Sequence, residues 1–269
     1  MFMKIKVYYR LAVISFQSFI SFKFNIFLNI FVSMAMVFIQ ILIWKALYSQ
    51  EDATNATEAI TLETMLQYVV ISSLLNIIIT SQPLQYIANQ IRTGNIALDL
   101  MRPFNFNLYI FSMEIGKKIG RVFIQIPILL IFYFSILSNL PGNEINILFT
   151  LIVIMNAIII QYLINYIIGL LAFWWIEVWP MDMLMNSLIK LLSGSWIPLW
   201  FFPEQLSKVA EILPFKLIYF DPIRVILGQI HPSELQVIVL QQIIWVMIFI
   251  SLAIFLWKYG TKKIVVQGG

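Results

Sequence analysis

Charges divide this chain into long apolar intervals. No Asp, Glu, Lys or Arg falls between Lys23 and Lys45, Glu63 and Arg92, Arg121 and Glu144, Glu144 and Glu177, or Glu234 and Lys258. A helix needs roughly 20 apolar residues to cross about 30 Å of hydrocarbon at 1.5 Å per residue, and each interval is long enough. A sixth candidate, from about Met183 to Phe202, carries Lys190 near its start. The spacing predicts six spans at about 24–48, 64–86, 118–140, 145–172, 183–202 and 235–257. Composition agrees: 61% of residues are hydrophobic and 11% charged, with a mean hydropathy of +0.90. Soluble domains carry about 25% charged residues, so no water-soluble fold hides this much apolar surface. With no internal repeat and no low-complexity linker, the expectation is one all-α integral membrane domain over residues 1–269.

Orientation follows from Lys and Arg in the short loops. The N-terminal segment has Lys4, Lys6, Arg10 and Lys23; the region after the second span has Arg92, Arg102, Lys117, Lys118 and Arg121; the C-terminal segment has Lys258, Lys262 and Lys263. The intervening loops have Glu51, Asp52 and Glu58, then Glu144 alone. Both ends and the 86–120 region are therefore expected on the cytoplasmic side. The segment FWWIEVWPMDML (173–184) shares that side by alternation, although its only charges are Glu177 and Asp182.

Several function classes drop out. The +4 net charge comes from scattered basic residues, whereas nucleic-acid binding needs them clustered. Without cysteine there is no thiolate metal site or disulfide, and the lone His231, expected in a surface loop, cannot build a histidine cluster; no metal site is expected. Lys4, Lys6 and Arg10 before an apolar stretch imitate a signal peptide, but Lys23 interrupts early and no small-residue cleavage site follows. Residues 3–22 read instead as an amphipathic helix on the membrane surface, with Val7, Leu11, Ile14, Phe16 and Phe19 dipping inward. Asn55-Ala56-Thr57 is a glycosylation sequon that matters only in a eukaryotic secretory pathway.

The stretch IRTGNIALDLMRPFN (91–105) stands out between apolar runs. Gly94 and Asn95 form a helix-start signal, since Asn caps free N–H groups, and Pro103 biases Arg102 away from helical geometry. Ile96 with Leu100, and Ala97 with Met101, fall at i and i+4 and predict an apolar face. Asp99 and Arg102 form an i, i+3 pair on the other side, worth about 0.2–0.5 kcal/mol. Physics alone allows a helix resting on lipid headgroups.

The pattern of isoleucine, a basic residue, glycine and an apolar-acidic run closing on Leu-x-Arg-Pro resembles the first cytoplasmic loop of ABC-2 type permeases, in the branch with six-span half-transporters. The segment SGSWIPLWFFPEQLSKVAEILPF (193–215) is similar to that family's region between spans five and six, as are IWKAL (43–47) and YFDPIRVILGQI (219–230) in their places. The resemblance implies short re-entrant helices in the outer leaflet, around Trp196, Pro198, Trp200, Pro203, Glu204 and Pro214. It implies that Gly94, Asn95, Ile96, Leu98, Asp99, Leu100, Met101, Arg102 and Pro103 form a coupling helix that docks into an ABC ATPase subunit. A second permease subunit, the same chain or a sister, is implied too, in the cytoplasmic membrane of a bacterium. ATP and Mg would be bound by the ATPase, with no cofactor on this chain. LLSGSW (191–196) lacks the second Gly and the Gln of an ATPase signature loop, and Gly116-Lys117-Lys118 lacks the rest of a phosphate loop.

Polar residues inside the apolar intervals complete the candidates. Lys190 either snorkels toward the interface or pairs with Glu177 or Asp182 to close an inner gate. Asn156, Gln161 and Asn165 on the fourth span either join helices by hydrogen bonds or touch substrate. Two rival readings are weaker. An ion- or proton-coupled carrier wants acids near the bilayer midplane, and an intramembrane enzyme wants convergent titratable groups.

Overall fold

Helices begin where the sequence supplies caps and end where it withdraws them. The computed structural model describes residues 2–49, 60–102, 105–136 and 147–263. Pro103, the Asn55 sequon and the acidic residues Glu51, Asp52, Glu58 and Glu144 lie outside these. Helices α1 (Phe2–Ser21) and α2 (Lys23–Tyr48) are separated by Phe22 alone. Thr61 caps α3 (Leu62–Ile79) by accepting from the Thr64 N–H at 3.2 Å. Pro83 opens α4 (Pro83–Arg92), where its missing N–H is no loss, and α5 (Ile96–Met101) follows. Asn105 Oδ1 accepts from the N–H groups of Asn107 and Leu108 at the head of α6 (Phe106–Ile136).

Beyond residue 146 come α7 (Ile147–Leu170), extended by a 3-10 turn at Leu171–Phe173, then α8 (Trp179–Leu192), α9 (Glu204–Ile212), α10 (Phe220–Ile226) and α11 (Pro232–Gly260). His231 is exposed and caps α11 through its ring nitrogen. Among the described residues every regular element is helical. Four segments among the described residues are long and apolar enough to cross a membrane: Lys23–Tyr48, Leu62–Arg92, Ile147–Phe173 and Ser233–Lys263.

The core forms around α3, which is buried on nearly all sides through Met65, Tyr68, Val70, Leu75 and Ile79. Helix α2 packs on α3, and α7 runs beside α11. The outer faces of α2 and α11 are the reverse of a soluble protein's: Phe24, Phe27, Phe31, Leu240, Ile244 and Met247 are all exposed. A lipid solvent makes that arrangement stable, since hydrocarbon exacts no penalty for apolar contact.

Helix α1 packs lengthwise on α6. Its contact line is Ala12, Ser15 and Phe19, while Val7 and Ile14, expected to dip into lipid on one face, stand exposed. Gly116 and Gly120, one turn apart on α6, set this register. A Cβ at Gly116 would run into the Ala12 carbonyl, and one at Gly120 would lie 2.6 Å from the Phe19 ring.

The expected fifth span, 183–202, differs most from the structure. Helix α8 covers Trp179–Leu192, 14 residues, or about 21 Å at 1.5 Å per residue. It stops because Gly194 adopts φ +77°, in the left-handed region. The carbonyls released there are taken by neighbours: Tyr68 Oη donates to Gly194 O at 2.7 Å and Ser72 Oγ to Ser195 O at 2.8 Å. The Phe220 N–H donates to Ser193 O at 2.9 Å, so α3 and α10 hold the break from two sides.

Candidate functional site

Gly94 sets the geometry of the 91–105 stretch. Its φ of +75° turns the chain sharply after α4, and its N–H returns to Ile91 O at 3.1 Å. Helix α5 is thereby folded back onto α4, and Ile96 is buried in a cluster with Ile87, Phe106 and Tyr109. Asn95 makes no side-chain cap bond, so the expected cap is replaced by a backbone turn in which the Leu98 and Asp99 N–H groups donate to Asn95 O. Arg102 is extended (φ −70°, ψ 144°).

The polarity of α5 is inverted relative to the sequence expectation. Asp99 is 1% exposed, on the inner face with Ile96. Its Oδ2 accepts from Gln90 Nε2 at 2.7 Å and Tyr86 Oη at 3.1 Å, and its Oδ1 meets Arg102 Nη1 at 3.2 Å. The outer face carries Leu98 at 61% exposure, Leu100 at 39% and Met101 at 81%. A periodicity argument misses this because α4 supplies two donors, one turn apart at Tyr86 and Gln90, for a carboxylate to satisfy.

Between α3 and α4 the backbone is unwound at Thr80–Gln82, and α6 supplies its partners. Lys118 Nζ donates to Ile79 O and Arg121 Nη1 to Thr80 O, both at 3.0 Å. Glu114 Oε2 accepts from Ser81 Oγ at 2.9 Å and the Gln82 N–H at 3.0 Å, while its Oε1 pairs with Lys117 at 3.2 Å. Cations thus meet the carbonyl end of α3, and an anion meets the N–H end of α4. Counting Lys117, Lys118 and Arg121 as loop charges overlooks this role. The legible signal was their spacing: 114, 117/118 and 121 fall on one face of a helix.

The proposed gate residues are not joined by ion pairs. Glu177 meets Arg92 Nη1 at 3.4 Å, with both groups exposed. Asp182 accepts from Asn186 Nδ2 at 2.7 Å, and Lys190 sits over the Trp196 ring at 5.4 Å. Asp182 and Lys190 do line one polar cavity of about 310 Å³, together with Gln161 and Asn165. Asn165 Nδ2 donates to Gln161 O within α7, at 3.0 Å, instead of crossing to another helix. Asn156 is half-buried and outside the cavity.

In the 193–215 region, Trp200 packs edge-on against Tyr68 and Phe220 at 5.3 and 5.2 Å between ring centroids. Trp196 is exposed, and Pro198 precedes a 3-10 turn at Leu199–Phe201. Pro203 precedes α9, on which Glu204 pairs with Lys208 at 2.6 Å, and Pro214 is buried in the following turn. Gln242 on α11, 0% exposed, donates through Nε2 to Val153 O and Leu217 O, each at 3.0 Å, which ties α7 and the 214–219 turn to α11.

A family model described as ABC-2 family transporter protein matches residues 14–268. No curated protein and no solved structure gives a match.

Proposed function

The chain belongs to the ABC-2 family of transporter proteins, and on that premise we propose that it is the membrane subunit of an ATP-driven exporter. The observation that carries this reading is the surface of α5. A six-residue helix that buries its aspartate and presents Leu98, Leu100 and Met101 outward suits a protein cleft. Asp99 is satisfied inward by Tyr86, Gln90 and Arg102, which leaves the outer apolar face free to enter such a cleft.

In this reading α5 docks into a separate ABC ATPase subunit, which binds ATP and Mg. ATPase closure pushes α5, and α4 transmits the push through the Thr80–Gln82 break. The spans are α2, α3, α6, α7, α8 and α11, with the short helices α9 and α10 completing the fifth crossing at its outer end. Two permease subunits, identical or sisters, pair above two ATPases in a bacterial cytoplasmic membrane, with both ends of the chain inside. Export fits better than import, since no feature points to a substrate-delivering protein. The cargo is a drug, a lipid or a peptide.

The test is a Leu98→Asp, Met101→Asp double variant. It inserts and folds normally, fails to co-purify with the cognate ATPase and fails to transport. Full association and transport by that variant would refute the docking role of α5.

A further inference from the structure

The cavity beside the Thr80–Gln82 break is walled mainly by neutral polar groups, and also by Leu84, Ile189, Asp182 and Lys190. Asn76, Gln82, Gln161, Asn165 and Asn186 contribute carboxamides, and hydroxyls come from Thr80, Ser81, Ser195 and Tyr219. Some of these groups bond one another or their surroundings: Asn76 donates to Tyr219 and accepts from Thr80, while Ser81 and Ser195 donate to Glu114 and Lys190 O. Gln161 is 5% exposed, and among the described residues nothing bonds its Oε1. Asn165 and Asn186 commit their Nδ2 groups to Gln161 O and Asp182 Oδ1, and among the described residues no donor meets either Oδ1, which leaves amide acceptors that hydroxyl groups complement. A buried amide oxygen without a partner is costly, and a bound group that donates to it removes the cost.

Two charged groups of opposite sign, Asp182 and Lys190, also line the cavity without pairing to one another. Asp182 accepts from Asn186, and Lys190 lies over Trp196. Lys118, Arg121 and Glu114, behind the break, are spent on its backbone and on Ser81. What faces a ligand is mostly neutral hydrogen bonding. A volume of about 310 Å³ lies at the small end of ligand sites, which run about 300–1,000 Å³. It has room for one ring-sized polar group and no acyl chain.

From this we infer that the cavity binds an uncharged, hydroxyl-rich group of monosaccharide size. The inference deepens the permease reading by naming the polar end of the cargo, and it rests on that reading only for the word cargo. Binding itself requires no ATPase, so its test is separate from the docking test above.

Gln85 is exposed and lines the same cavity, and the native chain has no cysteine. A Gln85→Cys reporter in phospholipid nanodiscs, prepared without sugar detergents, gives a maleimide labelling rate. The probes are glucose, octyl glucoside below its micellar concentration, octyltrimethylammonium, choline and glutamate. Octyl glucoside slows labelling at least threefold, and the three charged probes do not. Equal protection by glucose assigns a free sugar; protection by octyl glucoside alone assigns the headgroup of a glycosylated lipid. The protection is lost on adding Gln161→Leu or Asn165→Leu, with the unprotected rate retained. If one of these variants does not fold, the comparison of neutral with charged probes on the reporter chain decides alone. No protection by either sugar, equal protection by a charged probe, or protection indifferent to Gln161→Leu and Asn165→Leu overturns the inference.

Discussion

Replacing Asp99 by alanine isolates what holds α5 in place. The carboxylate is 1% exposed and accepts two hydrogen bonds, at 2.7 Å from Gln90 and 3.1 Å from Tyr86. Hydrogen bonds to a charged group contribute about 1.5–3 kcal/mol each, so about 3–6 kcal/mol is at stake. The Arg102 pair adds little, because the guanidinium side is about half exposed and water screens it. Helix α5 has only six residues, so the loss is felt as local opening and not as global unfolding.

A cysteine at the buried Ile96, introduced into this cysteine-free chain, reports that opening through its maleimide labelling rate. At 1.4 kcal/mol per decade, a loss of about 3 kcal/mol raises the rate roughly a hundredfold in the Asp99→Ala background. Leu98→Asp, on the exposed face, leaves it within about threefold. An unchanged rate in Asp99→Ala, or a large rise in Leu98→Asp, would reverse the assignment of faces and refute the reasoning.

Other outcomes follow from the same contacts. Gly116→Leu drives a side chain into the Ala12 backbone, costs about 1–3 kcal/mol by overpacking, and exposes a Ser15→Cys reporter on α1 to labelling. A cysteine at Thr93 is reached by an impermeant maleimide only in inside-out vesicles, and one at Thr57 only in intact cells.

The membrane character was legible because hydrocarbon imposes one simple demand, a run of uncharged residues, and the chain meets it openly. The family was legible in the 91–105 stretch. What escaped reading depended on partners distant in sequence. The burial of Asp99 depends on Tyr86 and Gln90, and no periodicity within Ile96–Met101 reveals it. The short α8 depends on Tyr68 and Ser72, 126 and 123 residues away, accepting the strain of a break at Gly194 by satisfying its carbonyls. The Glu114–Arg121 cluster looked like loop charge because its reason lies in the unwound backbone at Thr80–Gln82. Gln161 and Asn165 read either as helix glue or as substrate contacts, and the cavity shows them facing a common space with Asn186.

The central claim is that α5 is gripped by an ATPase. A photo-reactive amino acid at Met101, the most exposed side chain of that helix, tests it directly in native membranes containing the cognate ATPase. The account predicts one major crosslinked product that contains the ATPase subunit and disappears with Leu98→Asp. Crosslinking to lipid alone, or to a second copy of this chain alone, would contradict it.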